Sequence, residues 1–293
     1  MVTFLHYPVR GQQVVTAIAK QGAFACLRVW CVVSCSLVAG TAAAADQRAG
    51  GYVEAGASWL YFNYQETGSA GQVLNEETGD IPGVYVAWSS VFGSYAWARL
   101  EASYASHSVT YEGQTQAGAP LTTSTHERLI HYDGRVGGQW LQNAIAVRPF
   151  LSVRYQRWDR EIQPTASSLA LNEYYRWWEA GVGVESCGSG WSWAAEVCLD
   201  LGVFRTTAAE VEVALGSDPD NYPVLEPGDG SGYRVQLRWS PPASSHLVVS
   251  LFHAAWDFDR SDSELVRLGF AQLRIREPAS EASRQGVRVA LRF

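Results

Sequence analysis

From Asp46 to the end, apolar and polar residues alternate with period two in stretches of about ten residues, separated by clusters of Gly, Asn, Ser, Pro and Asp. Ten such stretches are read, near 51–64, 82–91, 95–109, 127–139, 146–159, 173–187, 191–205, 232–240, 246–258 and 283–293. In the seventh, Trp193, Ala195, Val197, Leu199, Leu201 and Val203 share one face, against Ser192, Ala194, Glu196, Cys198, Asp200 and Gly202 on the other. In the eighth, Tyr233, Val235, Leu237 and Trp239 alternate with Arg234, Gln236 and Arg238. Alternation alone also describes a half-buried soluble strand. Here aromatic residues bracket several apolar faces, where the two interfaces of a bilayer would lie.

The connections alternate too. Short ones, 89–94, 140–145, 187–191 and 240–245, take turns with long ones, 65–81, 110–126, 161–172, 206–231 and 259–282. Short periplasmic turns and long extracellular loops on an even number of strands predict an all-β fold: a transmembrane antiparallel up-and-down β-barrel of about ten strands. Leu265 to Arg276 is also strand-like, but counting it would make eleven strands and place Phe293 outside, so it is assigned to an outer hairpin.

Residues 1–45 read as a secretory signal peptide: a basic, polar leader, an apolar core Trp30 to Gly40 and four alanines, Ala42 to Ala45, with cleavage before Asp46. The barrel then occupies 46–293, in the bacterial outer membrane. The whole chain carries 22 basic and 29 acidic residues; cleavage leaves 19 basic residues and no lysine, for a charge of about −10. That balance excludes nucleic acid as a partner. Only Cys187 and Cys198 remain of five cysteines. With the turn centred near Ser189, Cys198 faces a position near Ala180, so two free thiols are expected.

The chain ends Gln285-Gly286-Val287-Arg288-Val289-Ala290-Leu291-Arg292-Phe293. This resembles the closing strand of bacterial outer-membrane β-barrel proteins, with alternating apolar positions Val287, Val289 and Leu291 and a terminal aromatic, Phe293. The resemblance covers about nine residues and implies recognition by the barrel-assembly machinery, in contact with outer-membrane lipid and lipopolysaccharide.

Parity sends fifteen charged side chains inward: Glu54, Arg99, Glu101, Asp133, Arg135, Arg148, Arg154, Glu179, Glu185, Glu196, Asp200, Arg234, Arg238, Arg288 and Arg292. Eight arginines against seven carboxylates, with Trp97, Phe150 and Trp177 pointing the same way, predict a lumen packed with ion pairs, since ten strands leave little room for water. The favoured role is non-enzymatic: structural, surface-interaction or narrow-channel. A small-solute or cation-selective porin is the rival, because acidic outer loops would enrich cations at the mouth.

Enzymatic readings are weaker. Ten-stranded omptin proteases, similar in size, use an Asp-Asp and an Asp-His pair at the outer rim. Here His131 and Asp133 come first, and Asp257 and Asp259 late, which is not the omptin order. A lipid A hydrolase would need Ser and His at the lipid-facing rim, where His107, Ser108 and His126 fall. No cofactor is expected. The loop carboxylates Glu76, Glu77, Asp80, Glu210, Glu212, Asp218, Asp220, Glu226, Asp229, Asp259, Asp262 and Glu264 offer oxygens to Ca²⁺ or Mg²⁺, but match no EF-hand spacing. Solvated, mutually repelling loops are the favoured reading.

Overall fold

The computed structural model describes residues 51–114, 118–166, 168, 170–214, 222–242, 244, 246–268 and 271–293. The leader and two of the loop acids, Asp218 and Asp220, lie outside these residues. Every element described is a strand. Ten long strands build the wall: β1 (Gly51–Thr67), β2 (Val73–Phe92), β3 (Ala96–Gln114), β4 (Pro120–Gly138), β6 (Ile145–Ile162), β7 (Leu171–Trp191), β8 (Ala194–Ala214), β10 (Ser231–Ser240), β11 (Leu247–Phe258) and β14 (Ala279–Arg292). Each pairs antiparallel with its chain neighbours, β14 returns to β1, and β10 joins β8, so the sheet closes on itself. Closure leaves no edge strand, which a bilayer requires.

Four short strands decorate the wall. β5 (Trp140–Gln142) folds back on β6 through Asn143-Ala144, with Asn143 in the left-handed region at φ 56°; Asn is among the few side chains that tolerate it. β9 (Val224–Leu225) lies on β8, while β12 (Glu264–Leu268) and β13 (Ala271–Ile275) pair only with each other. The 265–276 segment is thus a separate hairpin and not an eleventh wall strand.

The wall strands run further outward than the periodicity predicts. On β3 the outward apolar face lasts from Ala96 to Tyr104, about nine residues, the length a tilted strand needs to cross hydrocarbon. Exposed Phe92, Tyr95, Trp140, Trp193 and Phe293 mark one edge of the belt, and Trp59, Tyr104, Tyr132, Trp178 and Tyr233 the other. Beyond the second edge the outward face turns polar: Asp159, on the lipid-side parity of β6, is held by Arg128 at 3.1 Å and Arg157 at 2.8 Å. Much of what the sequence presents as loop is therefore wall, standing clear of the membrane.

A bulge lets this outer wall keep a dry interior. The β7–β8 register shifts between Arg176 and Trp178, and Ala208 takes φ 50°. One extra residue inverts parity. Below it Phe204 and Thr206 face inward; above it Ala209, Val211 and Val213 do, and Glu210 and Glu212 turn out.

Cys187 and Cys198 require a correction. They are direct cross-strand partners, with Cα atoms 4.0 Å apart, and form a disulfide. The turn is Ser192-Trp193, because Trp191 pairs with Ala194. Gly188 and Gly190 look like turn residues but lie within β7, and the Trp191 ring covers Gly188 so closely that a β-carbon there would fall 2.1 Å from it. An aromatic ring filling the space over a strand glycine keeps the ladder going where the sequence signals a stop.

Candidate functional site in the barrel lumen

At membrane depth the lumen is filled by two stacked networks of guanidinium and carboxylate groups, together one lattice of buried charge. Near the turn end, Glu54 meets Arg292 at 2.9 Å and Arg99 at 3.1 Å, Glu196 meets Arg292 at 2.9 Å, and Glu185 bridges Arg148 at 2.8 Å to Arg238. Glu101 links Arg99 to Arg288, at 3.3 and 2.7 Å. Higher up, Asp133 gathers Arg135 at 2.7 Å, Arg234 at 3.0 Å and Arg154 at 3.5 Å; Asp200 takes Arg135 from the far side and Glu179 takes Arg154 at 2.7 Å. All fifteen side chains assigned inward by parity lie in this lattice. Arg135 and Arg234 stack over Phe150, and Arg148 over Trp97, so rings and ion pairs interleave. Parity reasoning missed Arg284, buried in the same tier against the Trp256 ring.

Above the belt the character inverts. Phe62, Tyr64, Ile81, Val109, Leu129, Trp158, Tyr175, Trp177, Val211, Leu225, Trp256, Phe258 and Ile275 form one buried cluster across the bore. Five glutamates lie among them, all essentially inaccessible: Glu66, Glu77, Glu127, Glu173 and Glu277. Among the described residues the cation set between them is Arg160. Arg160 donates to Glu77 through Nη2 at 2.7 Å and Nε at 3.3 Å, and reaches Glu66 at 3.3 Å and Glu173, while its plane lies 4.4 Å from the Tyr64 ring centre. The Tyr175 hydroxyl donates to Glu277, Trp158 Nε1 to Glu127, and Thr125 to Glu77 at 3.0 Å. Burial drives the Glu127 carboxyl well above the usual carboxylate range, and the adjacent Glu77 adds to the shift. Burial likewise pushes Glu277 up to about 7, with Glu66 and Glu173 contributing. Of these six charged residues the sequence flagged only Glu77, and as a loop acid.

The enzymatic candidates separate. His131 and Asp133 lie on β4, Asp257 and Asp259 on or just after β11; five strand steps part β4 from β11 either way round, so they occupy opposite walls. His131 Nδ1 is 3.1 Å from Ser103, Asp133 is consumed by three arginines, and Asp257 accepts from the Ser231 amide and hydroxyl, each at 3.0 Å. At the outer rim His126 sits between Ser106, 3.2 Å from Nε2, and Ser108, 3.4 Å from Nδ1; His107 has the opposite parity, across from Glu127. Ser106 already donates its proton to the Glu127 carbonyl at 2.9 Å, so the imidazole is not placed to take it.

Among the described residues the loop carboxylates do not converge in threes; the one such grouping, Cys187, Glu196 and Cys198, has both sulfurs committed to the disulfide. Val287, Val289, Leu291 and Phe293 line the outward face of β14, with Phe293 three-quarters exposed at the belt's lower edge.

The outer membrane protease OmpT from Escherichia coli superposes with a TM-score of 0.54 at 8% identity, over 83% of this chain and 96% of that one. The fold is that of an outer-membrane β-barrel. The translocator domain of the autotransporter NalP from Neisseria meningitidis aligns at 10% identity over 90% of this chain and 94% of its own, with a TM-score of 0.41. Ail, the attachment invasion locus protein of Yersinia pestis, gives 6% identity over 83% and 99%, with a TM-score of 0.32. No protein-family model and no curated protein matches the sequence. Likeness at this identity carries the ten-stranded wall and not a neighbour's activity.

Proposed function

We propose that this chain is an integral barrel of the bacterial outer membrane that neither conducts nor catalyses, and acts as a structural or surface-interaction protein through its outer tier. The observation that supports this is the double closure of the bore. The ion-pair lattice fills it at membrane depth, and the Phe62, Trp158, Trp177 and Phe258 core fills it again above. A solute would have to break buried ion pairs and then open an aromatic core, whereas pores of this architecture keep an aqueous channel inside a wider wall. What remains accessible is the polar outer face, with Arg128, Arg157, Arg176 and Arg205 on the four consecutive strands β4, β6, β7 and β8, above the aromatic ring on one side of the barrel. Alternating guanidinium and carboxylate groups at that height suit the phosphates of lipopolysaccharide. The β14 ending remains the proposed contact for the assembly machinery. The test is a planar-bilayer recording on the refolded protein: a silent bilayer is expected, and discrete channel steps would overturn the closed-bore reading.

A further inference from the structure

We propose that the middle of the lumen is a binding site for a small inorganic monoanion of chloride or nitrate size. With Arg284 counted, nine arginines at membrane depth face seven carboxylates. Among the described residues no carboxylate approaches Arg284 within ion-pair distance; its neighbour is the Trp256 ring, 5.4 Å from the guanidinium carbon. The surplus is concentrated in one place. Arg135, Arg154, Arg234, Arg284 and Arg288 border a single cavity with His131 and one carboxylate, Glu101, with Phe252 and Ala254 of β11 on the wall side.

Among the groups lining the cavity, the unpartnered side-chain atoms of known role are donors: Arg234 Nη2, Arg154 Nε and Arg288 Nε are buried with no acceptor, and His131 Nε2 lies beside them. The two unpartnered acceptors nearby, Asp133 Oδ1 and Asp200 Oδ1, lie behind the arginines and do not line the cavity, and Glu101 is held by Arg99 and Arg288. A guanidinium cannot shed its proton to escape an unbalanced site. Water supplies lone pairs but no charge, and an unpaired cation in a low-dielectric interior is the costly case. A monoanion satisfies both the orphaned donors and the charge surplus. The cavity volume of about 40 Å³ suits an occupant of halide or nitrate size.

The site stands apart from the question of conduction, because a closed bore can hold an ion as well as an open one. The test uses the refolded full-length protein in detergent at constant ionic strength, with chloride replaced stepwise by gluconate, which is too large to enter. The expected result is an unfolding midpoint several degrees higher in chloride, saturating with concentration and reproduced by nitrate. Arg284→Gln should fold, should match or exceed the parent in gluconate, and should lose the chloride response. Equal midpoints in chloride and gluconate, or a response that survives in both Arg284→Gln and Arg234→Gln, would overturn the proposal. Should neither variant fold, chloride NMR line-broadening on the parent protein decides: saturable broadening supports the site, and its absence removes it.

Discussion

The two tiers of the lumen bury charge by opposite rules. At membrane depth cations exceed anions, six of the seven carboxylates are shared between arginines or pinned by a ring N–H, and the charges form a lattice with alternative routes. Above the belt, among the described residues, five buried glutamates surround Arg160, and carboxyls that hold their protons share the load with it. A lattice spreads the loss of a member over its neighbours; a hub does not. The upper tier has apolar bulk to spend on such an arrangement, the lower one does not.

The largest expected effect follows from removing the hub. Arg160→Met takes the shared guanidinium away from buried Glu66, Glu77 and Glu173, at a cost of about 3–5 kcal/mol. Limited proteolysis at neutral pH should cut the outer tier of the variant while the membrane tier still resists heating in detergent, and pH 5 should restore resistance. Uniform collapse of both tiers would break the comparison. Asp133→Asn is expected to cost less, about 2–3 kcal/mol, since Asp200 and Glu179 still hold Arg135 and Arg154. Acid should not rescue it, and a heat-modifiable gel at pH 5 and pH 8 reads that difference directly.

The parent protein carries its own pH dependence. The Glu127 and Glu277 carboxyls both have folded pKa values raised above those of the unfolded chain, so their stabilisation is complete below about 4.5 and is lost as pH rises, through about 7 in the case of Glu277. Hydrogen exchange in the neck of the β12–β13 hairpin, where the Glu277 amide bonds Ser261 Oγ at 2.7 Å, should therefore be slower at pH 5 than at pH 8 after correction for intrinsic rates. An opposite trend would mean those carboxyls are ionised in the folded state. Smallest is the disulfide: replacing Cys187 and Cys198 by Ser should lower stability by about 2 kcal/mol at most, because a short hairpin gains least from cross-linking. Denaturant unfolding with and without reductant measures it.

The membrane tier was legible because a bilayer imposes parity: Arg234 and Arg238 have no outward alternative between Tyr233, Val235, Leu237 and Trp239. Arg284 was readable by the same rule, being in phase with Arg288 and Arg292, but it stands where the apolar partners thin out. The upper tier was hidden because its outward face is polar. Trp158, Arg160 and Ile162 keep the inward phase of β6, yet Arg157 and Glu161 beside them remove the contrast that marks a membrane strand. Glu277 could not be assigned from pattern, since its burial depends on the β12–β13 neck folding back over Tyr64 and Tyr175. The disulfide was missed through the turn: glycines mark bends, and only the Trp191 ring makes Gly188 a strand residue.

That hairpin also bears on how the wall keeps its register. A slip of one residue between β7 and β8 would reverse every side chain on the slipped strand, sending Glu185 or Asp200 toward lipid and Val182 or Leu201 into the lattice. In a slipped pairing Cys187 and Cys198 no longer face each other, and the sulfurs cannot join without moving backbone. The disulfide is thus compatible with one register: in an oxidising compartment it can close on the correctly aligned hairpin and not on the slipped one, whatever the state of the other eight wall strands.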